Sequence, residues 1–138
     1  MSHITKVKSK INNLETLKTA LKNLNFDIIE NKNGETIKIK SWNRQTIDME
    51  NVVMEIKTGT PYNVGVIFNE EDKTYEFVSD WWGIETYTQL NEEKFLNKIT
   101  QRYAYDSVMS KLNEKGYNFI KEEVDDKNNI RIVVRKWN

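Results

Sequence analysis

Three short runs of alternating polarity in the middle of the chain, each cut off by a turn-forming segment, constrain the fold most. Val52–Lys57 alternates apolar and polar positions, Gly59-Thr60-Pro61 interrupts it, and residues 63–68 resume. The acidic turn Asn69-Glu70-Glu71-Asp72-Lys73 then leads into Tyr75-Glu76-Phe77-Val78. A period of two marks strands with one face buried. Strands joined by connections this short pair antiparallel, because a parallel return needs a long crossover.

The flanks supply the helices. Residues 4–11 read as a strand, with Ile4, Lys6, Lys8 and Lys10 on one face and Val7, Ser9 and Ile11 on the other. Asn12 is expected to cap a helix, with Glu15 three residues on and Leu14, Leu17, Leu21 and Leu24 as its apolar stripe. Asn33-Gly34, between Phe26-Asp27-Ile28-Ile29-Glu30 and Thr36-Ile37-Lys38-Ile39-Lys40-Ser41-Trp42, predicts a hairpin. Asn91 opens a long helical region carrying Phe95, Ile99, Tyr103, Val108 and Leu112, which Gly116 is placed to close. Its stripe drifts between Tyr103 and Val108, where a break is allowed. Residues 117–124 and 130–137 form a last hairpin across Asp125-Asp126-Lys127-Asn128-Asn129. The series Leu21, Phe26, hairpin, Trp42 is echoed by Leu112, Tyr117, hairpin, Trp137. The expected fold is therefore α+β, one domain over residues 1–138. An antiparallel sheet carries two helices on one face, as two pseudo-symmetric β-α-β-β halves.

Composition narrows the chemistry. There is no cysteine, so disulfides, thiolate metal sites and thiol nucleophiles are excluded. His3 is the single histidine, which leaves no histidine relay or two-histidine metal site within one subunit unless copies of His3 meet in an oligomer. The five glycines form neither a phosphate loop nor a dinucleotide fingerprint. Glu70-Glu71, Glu92-Glu93, Glu122-Glu123 and Asp125-Asp126 fall on turns, helix starts or strand ends, where carboxylates are solvated rather than convergent. Basic and acidic residues balance at 21 each and are interspersed, which disfavours nucleic acid as a partner. No apolar run reaches a membrane span or a signal peptide, so a cytoplasmic location without membrane association is expected. The abundance of Asn, Lys and Ile suggests an AT-rich coding sequence, as in low-GC bacteria or their phages. No catalytic residue, metal ligand or cofactor is assigned.

The positive signals are aromatic. Asp80-Trp81-Trp82-Gly83 sets two large rings beside a carboxylate at a strand end. Alternation sends neighbouring strand side chains to opposite faces, so one Trp is expected in the core and the other at a surface or pocket. In Gln101-Arg102-Tyr103-Ala104-Tyr105, Gln101 and Tyr105 share a helix face. Arg102 is suited to hold Asp80 or to bind a phosphate or carboxylate. Asp80, Trp81, Trp82, Arg102 and Tyr105 form the candidate binding surface.

These segments, in this order, resemble the hypothetical chloroplast reading frame 35 family of plastids, cyanobacteria and other bacteria. The resemblance runs from Met1-Ser2-His3 through the Leu14/Leu17/Ala20-Leu21 helix and the Asp48-Met49-Glu50-Asn51-Val52-Val53 strand. It continues through 75–83 and Gln101-Arg102-Tyr103-Ala104-Tyr105 to Arg135-Lys136-Trp137. Asp106 stands where the family is associated with a basic residue or His. The resemblance implies a small soluble α+β domain with no established catalytic residues, whose bacterial members sit beside ferredoxin-like proteins and AAA-type ATPases. The leading expectation is a non-catalytic binding module, an adaptor or small-ligand binder that also admits homo-oligomers. The alternatives are a phage-encoded oligomeric sponge for a nucleotide-type immune signal, or a small enzyme with carboxylate chemistry around Arg102.

Overall fold

A computed structural model describes residues 4–136, the Ile120 side chain apart. His3 and Trp137 lie outside the described residues. Nine strands and three helices are present among the described residues, and the fold is α+β. The chain forms two compact units, residues 1–103 and 104–138.

The first unit is built on a five-stranded antiparallel sheet in the order β1-β7-β6-β5-β2. The strands are β1 (Ile4–Lys8), β2 (Asp27–Glu30), β5 (Val52–Lys57), β6 (Asn63–Asn69) and β7 (Thr74–Asp80). The three alternating runs of the sequence are β5, β6 and β7, paired as neighbours. One sheet face carries Met54, Ile56, Val64, Val66 and Phe77. Three helices cover it: α1 (Leu14–Asn23) through Leu17 and Leu21, α2 (Trp81–Thr88) through Trp81 and Ile84, and the start of α3 (Glu92–Glu114) through Phe95 and Ile99. Helix α1 is capped by Asn13, one residue after the expected Asn12, whose side chain accepts from the Thr16 N–H at 3.1 Å. The Tyr103 hydroxyl accepts the backbone N–H of Asn13 at 3.1 Å, which fixes where α1 starts.

The other sheet face is covered by a hairpin, β3 (Ile37–Lys40) with β4 (Thr46–Met49). Its Ile39 packs on Val52, Ile67 and Val78. Two local features make this second layer possible. A bulge between Val52 and Met54 inserts Val53, so Val52 faces the hairpin while Met54 faces the helices. A regular strand would send both to one side. Gly65 lies at the contact: a Cβ there would sit 3.0 Å from the Ile39 and Val78 methyls. Glycine inside a strand is unfavourable unless something approaches closely, and here the hairpin does.

The Asn33-Gly34 hairpin does not form. β2 pairs with β5, and β3 pairs with β4. The Asn31 side chain accepts the Glu35 N–H at 3.2 Å and donates to the Glu35 and Val52 carbonyls at 2.7 and 2.8 Å. Gly34 takes φ +67°. The turn residues therefore carry the chain from one sheet face to the other. The anticipated 48–53 strand is likewise divided, at Asn51 with φ +63°, into β4 and β5.

The second unit holds the end of α3 and the hairpin of β8 (Tyr117–Val124) with β9 (Ile130–Lys136). That hairpin was expected, but it forms its own sheet, so one sheet made of two β-α-β-β halves is not what the chain builds. Asp125 closes its turn by accepting the backbone N–H of Asn129 at 2.8 Å, the Asn129 side-chain amide at 3.1 Å and the Lys127 N–H at 2.9 Å, which together hold its carboxyl below the usual range. Helix α3 is unbroken where the stripe drifts, and the division into units falls there instead. Among the described residues no helix is long and apolar enough to cross a membrane.

Ile39→Ala should destabilise the protein by about 2–5 kcal/mol in urea denaturation, as expected for an emptied core site. A loss under about 1 kcal/mol would show that the hairpin does not seal this face.

Candidate functional site

Strand β7 ends in Asp80, and α2 begins at the next residue. The Asp80 backbone is extended, with φ −84° and ψ 93°, and its Oδ1 accepts the Gly83 N–H at 3.1 Å as an N-cap. Its Oδ2 accepts the Ser41 hydroxyl at 3.0 Å and the Trp42 N–H at 3.2 Å. This carboxylate has no solvent exposure. A buried charge is tolerated only when it is well hydrogen-bonded, and three donors from two separate segments satisfy both oxygens here. Asp80 therefore joins the start of α2 to the far end of the β3–β4 hairpin.

The turn of that hairpin is set by the same contact. Trp42 accepts from the Gln45 N–H, the Ser41 N–H donates to the Gln45 carbonyl at 2.8 Å, and Asn43 and Arg44 both take φ +60°. Ser41 and Gln45 continue the Lys40–Thr46 register, so three residues, Trp42, Asn43 and Arg44, make the loop, and positive φ at both central residues of 42–45 gives it the mirror-image turn favoured in tight hairpins.

Each remaining residue of Asp80-Trp81-Trp82-Gly83 has its own surroundings. Because the helix starts at Trp81, the two rings are separated by helical rotation rather than strand alternation. Trp81 is buried against Phe95, with ring centroids 5.3 Å apart, and its indole N–H donates to the Thr5 carbonyl at 3.0 Å. Trp82 is 68% exposed. Gly83 lies under the Tyr62 ring, where a Cβ would come within 2.5 Å. Tyr87, one helical turn beyond Gly83, meets the same ring at 6.1 Å with a 48° tilt. Burial, then the Asp80 charge and Tyr87, push the Tyr62 phenol above its ordinary value.

Between the 42–45 turn and the two tyrosines lies a cleft of about 620 Å³. Lys40, Ser41, Asn43, Arg44, Gln45 and Thr46 of the hairpin line it together with Pro61, Tyr62 and Tyr87. No carboxylate is among these lining residues. The volume falls within the ordinary range for small-molecule pockets.

The structure thus brings Asp80, Trp81 and Trp82 together and gives them different work: cap, core and exposed surface. Arg102 and Tyr105 are half-buried on α3, with Arg102 in the first unit and Tyr105 in the second. Ser41, Tyr62, Tyr87, Lys40 and Arg44 were not anticipated. Asp is a legible helix-capping residue, but Tyr62 and the turn reach the site only through tertiary structure. Among the described residues no three His, Asp or Glu side chains converge to hold a metal ion.

Residues 20–133 match the family described as "Protein of unknown function (DUF1257)". The chain belongs to that family. It is also similar to proteins named "Uncharacterized protein ycf35". The Cyanophora paradoxa protein is 34% identical, with 99% of this chain and 98% of that protein covered. The Guillardia theta protein is 30% identical over the same shares. The Pyropia yezoensis protein is 29% identical, covering 100% of this chain and 99% of its own. No solved structure matches.

Asp80→Ala should lower stability by about 2–4 kcal/mol, more than the ~1 kcal/mol of a lone cap, because donors in two segments lose their acceptor. Trp82→Ala should change it by less than about 0.5 kcal/mol, as at exposed positions generally. Equal losses would mean that Asp80 is only a cap or that Trp82 is packed. In ultraviolet titration, the difference between wild type and Tyr62→Phe should show a phenolate forming above pH 10.0; ionisation at or below that value would contradict the burial described.

Proposed function

We propose that this protein is a non-catalytic binding module whose small ligand occupies the cleft between the 42–45 turn and the Tyr62–Tyr87 pair. The observation that carries this reading is the fully buried Asp80, which fixes the turn and α2, two of the elements that line the cleft, in one geometry. Pre-formed walls lower the ordering cost of binding. The same carboxylate is fully buried, out of the hydrogen-bond reach that a general acid or base needs to a ligand in the cleft. That favours binding over the carboxylate chemistry an enzyme would need.

A second reading, an adaptor for a protein partner such as a ferredoxin-like protein or an AAA-type ATPase, is favoured by the exposure of Trp42 (51%) and Trp82 (68%) close to Asp80. Exposed Trp residues are frequent anchors in protein interfaces.

Native mass spectrometry of the natively purified protein, beside a denatured control, tests the first reading. A small-molecule mass should be lost on denaturation and be depleted in Gly83→Ala, whose added methyl displaces Tyr62. A clean apo protein that no small metabolite stabilises in a thermal-shift screen would overturn it. Capture of a polypeptide that Trp82→Ala abolishes would favour the adaptor.

A further inference from the structure

The register of β3 against β4 gives two neighbouring lysines different surroundings. Lys38 stands opposite Asp48, and its Nζ lies 3.1 Å from that carboxylate. Lys40 stands opposite Thr46 and reaches the cleft without an acid across from it. Some lysines elsewhere are paired, Lys18 with Glu15 and Glu30, Lys8 with Asp72 and Lys73 with Glu70. Among the described residues neither Lys40 nor Arg44 has an ion-pair partner. The cleft therefore presents two cations and no lining carboxylate. Asp80, whose charge bears on the lining residue Tyr62, is buried and already accepts from Ser41, Trp42 and Gly83.

Arg44 adds an independent observation. It takes φ +60° at the second central position of the 42–45 turn. Glycine is the favoured residue there and a long side chain is disfavoured. Local folding thus gives no reason for an Arg at this position, whereas a planar guanidinium at the mouth of a cleft suits an anion. In the same cleft, the 60%-exposed Tyr87 and the half-buried Tyr62 offer aromatic rings at a mutual tilt of 48°. Rings of a ligand pack on such faces.

We propose that the cleft takes a small ligand joining a planar aromatic ring to a phosphate or carboxylate. The ring lies against Tyr87 and Tyr62, and the anion is held by Lys40 and Arg44. This rests on the binding-module reading and names its ligand class.

Isothermal titration calorimetry at low salt with five probes tests it: adenosine monophosphate, phenyl phosphate, benzoate, adenosine and inorganic phosphate. A probe carrying both ring and anion should bind at least about tenfold tighter than adenosine or phosphate alone. A preference for adenosine monophosphate over phenyl phosphate would point to a nucleotide, and one for benzoate to an aromatic carboxylate. Arg44→Gly should weaken that binding by about tenfold or more while leaving the melting temperature unchanged or higher, because Gly suits the positive φ. Lys40→Gln should weaken it without unfolding the protein. Equal binding of the half-probes, unchanged affinity in Arg44→Gly, or no binding by any probe overturns the proposal. A copurifying ligand that Arg44→Gly retains would defeat this ligand class yet leave the binding module standing; a protein that neither copurifies with a ligand nor binds a probe would defeat both.

Discussion

The architecture of the first unit turns on one buried carboxylate. Asp80 ends the strand β7, caps the helix α2 through Gly83, and accepts from Ser41 and Trp42 in a segment nearly forty positions away in sequence. A charge without solvent contact is strongly destabilising unless it is fully hydrogen-bonded. The three donors are thereby constrained to arrive together. That requirement couples the direction of α2 to the conformation of the 42–45 turn. Cleft, tyrosine pair and exposed tryptophans are arranged around this constraint.

The apolar core explains why the hairpin can be there at all. A sheet with helices on one side leaves its other side to be covered, and here the small β3–β4 layer does so. Its approach depends on the missing side chain at Gly65 and on the bulge that turns Val52 away from Met54. Buried Asn63 completes the contact, donating to the Lys38 carbonyl and accepting the Lys40 N–H, both at 2.9 Å. Polar satisfaction of this kind fixes the register of the hairpin where apolar packing alone would tolerate a shift. Register in turn decides that Lys38 meets Asp48 while Lys40 meets only Thr46.

Periodicity made the strands β5, β6 and β7, the stripe of α1 and the final hairpin legible, because each rests on contacts within or next to itself in sequence. The α+β class was legible for the same reason and is the class observed; the family resemblance rested on Asp80-Trp81-Trp82-Gly83 and Gln101-Arg102-Tyr103-Ala104-Tyr105, and the family match agrees with it. Pairing partners were not legible. Asn33-Gly34 marks a reversal, but no local signal says that the chain then crosses to the opposite sheet face. The site was half visible: Asp80-Trp81-Trp82-Gly83 stood out, yet its division into cap, core, surface and close contact follows from a helix beginning one residue after the strand. Lys40, Arg44 and Tyr62 carried no local mark, since their proximity is created by the Asp80 and Asn63 contacts.

Amide hydrogen exchange, read residue by residue in wild type and Asp80→Ala, tests the central coupling most directly. The Trp42 and Gly83 amides should both be protected in wild type, and both should lose protection in the variant while β5, β6 and β7 keep theirs. Loss at Gly83 alone, with Trp42 still protected, would contradict the account: the carboxylate would be an ordinary helix cap, and the turn beside the cleft would be held by something else.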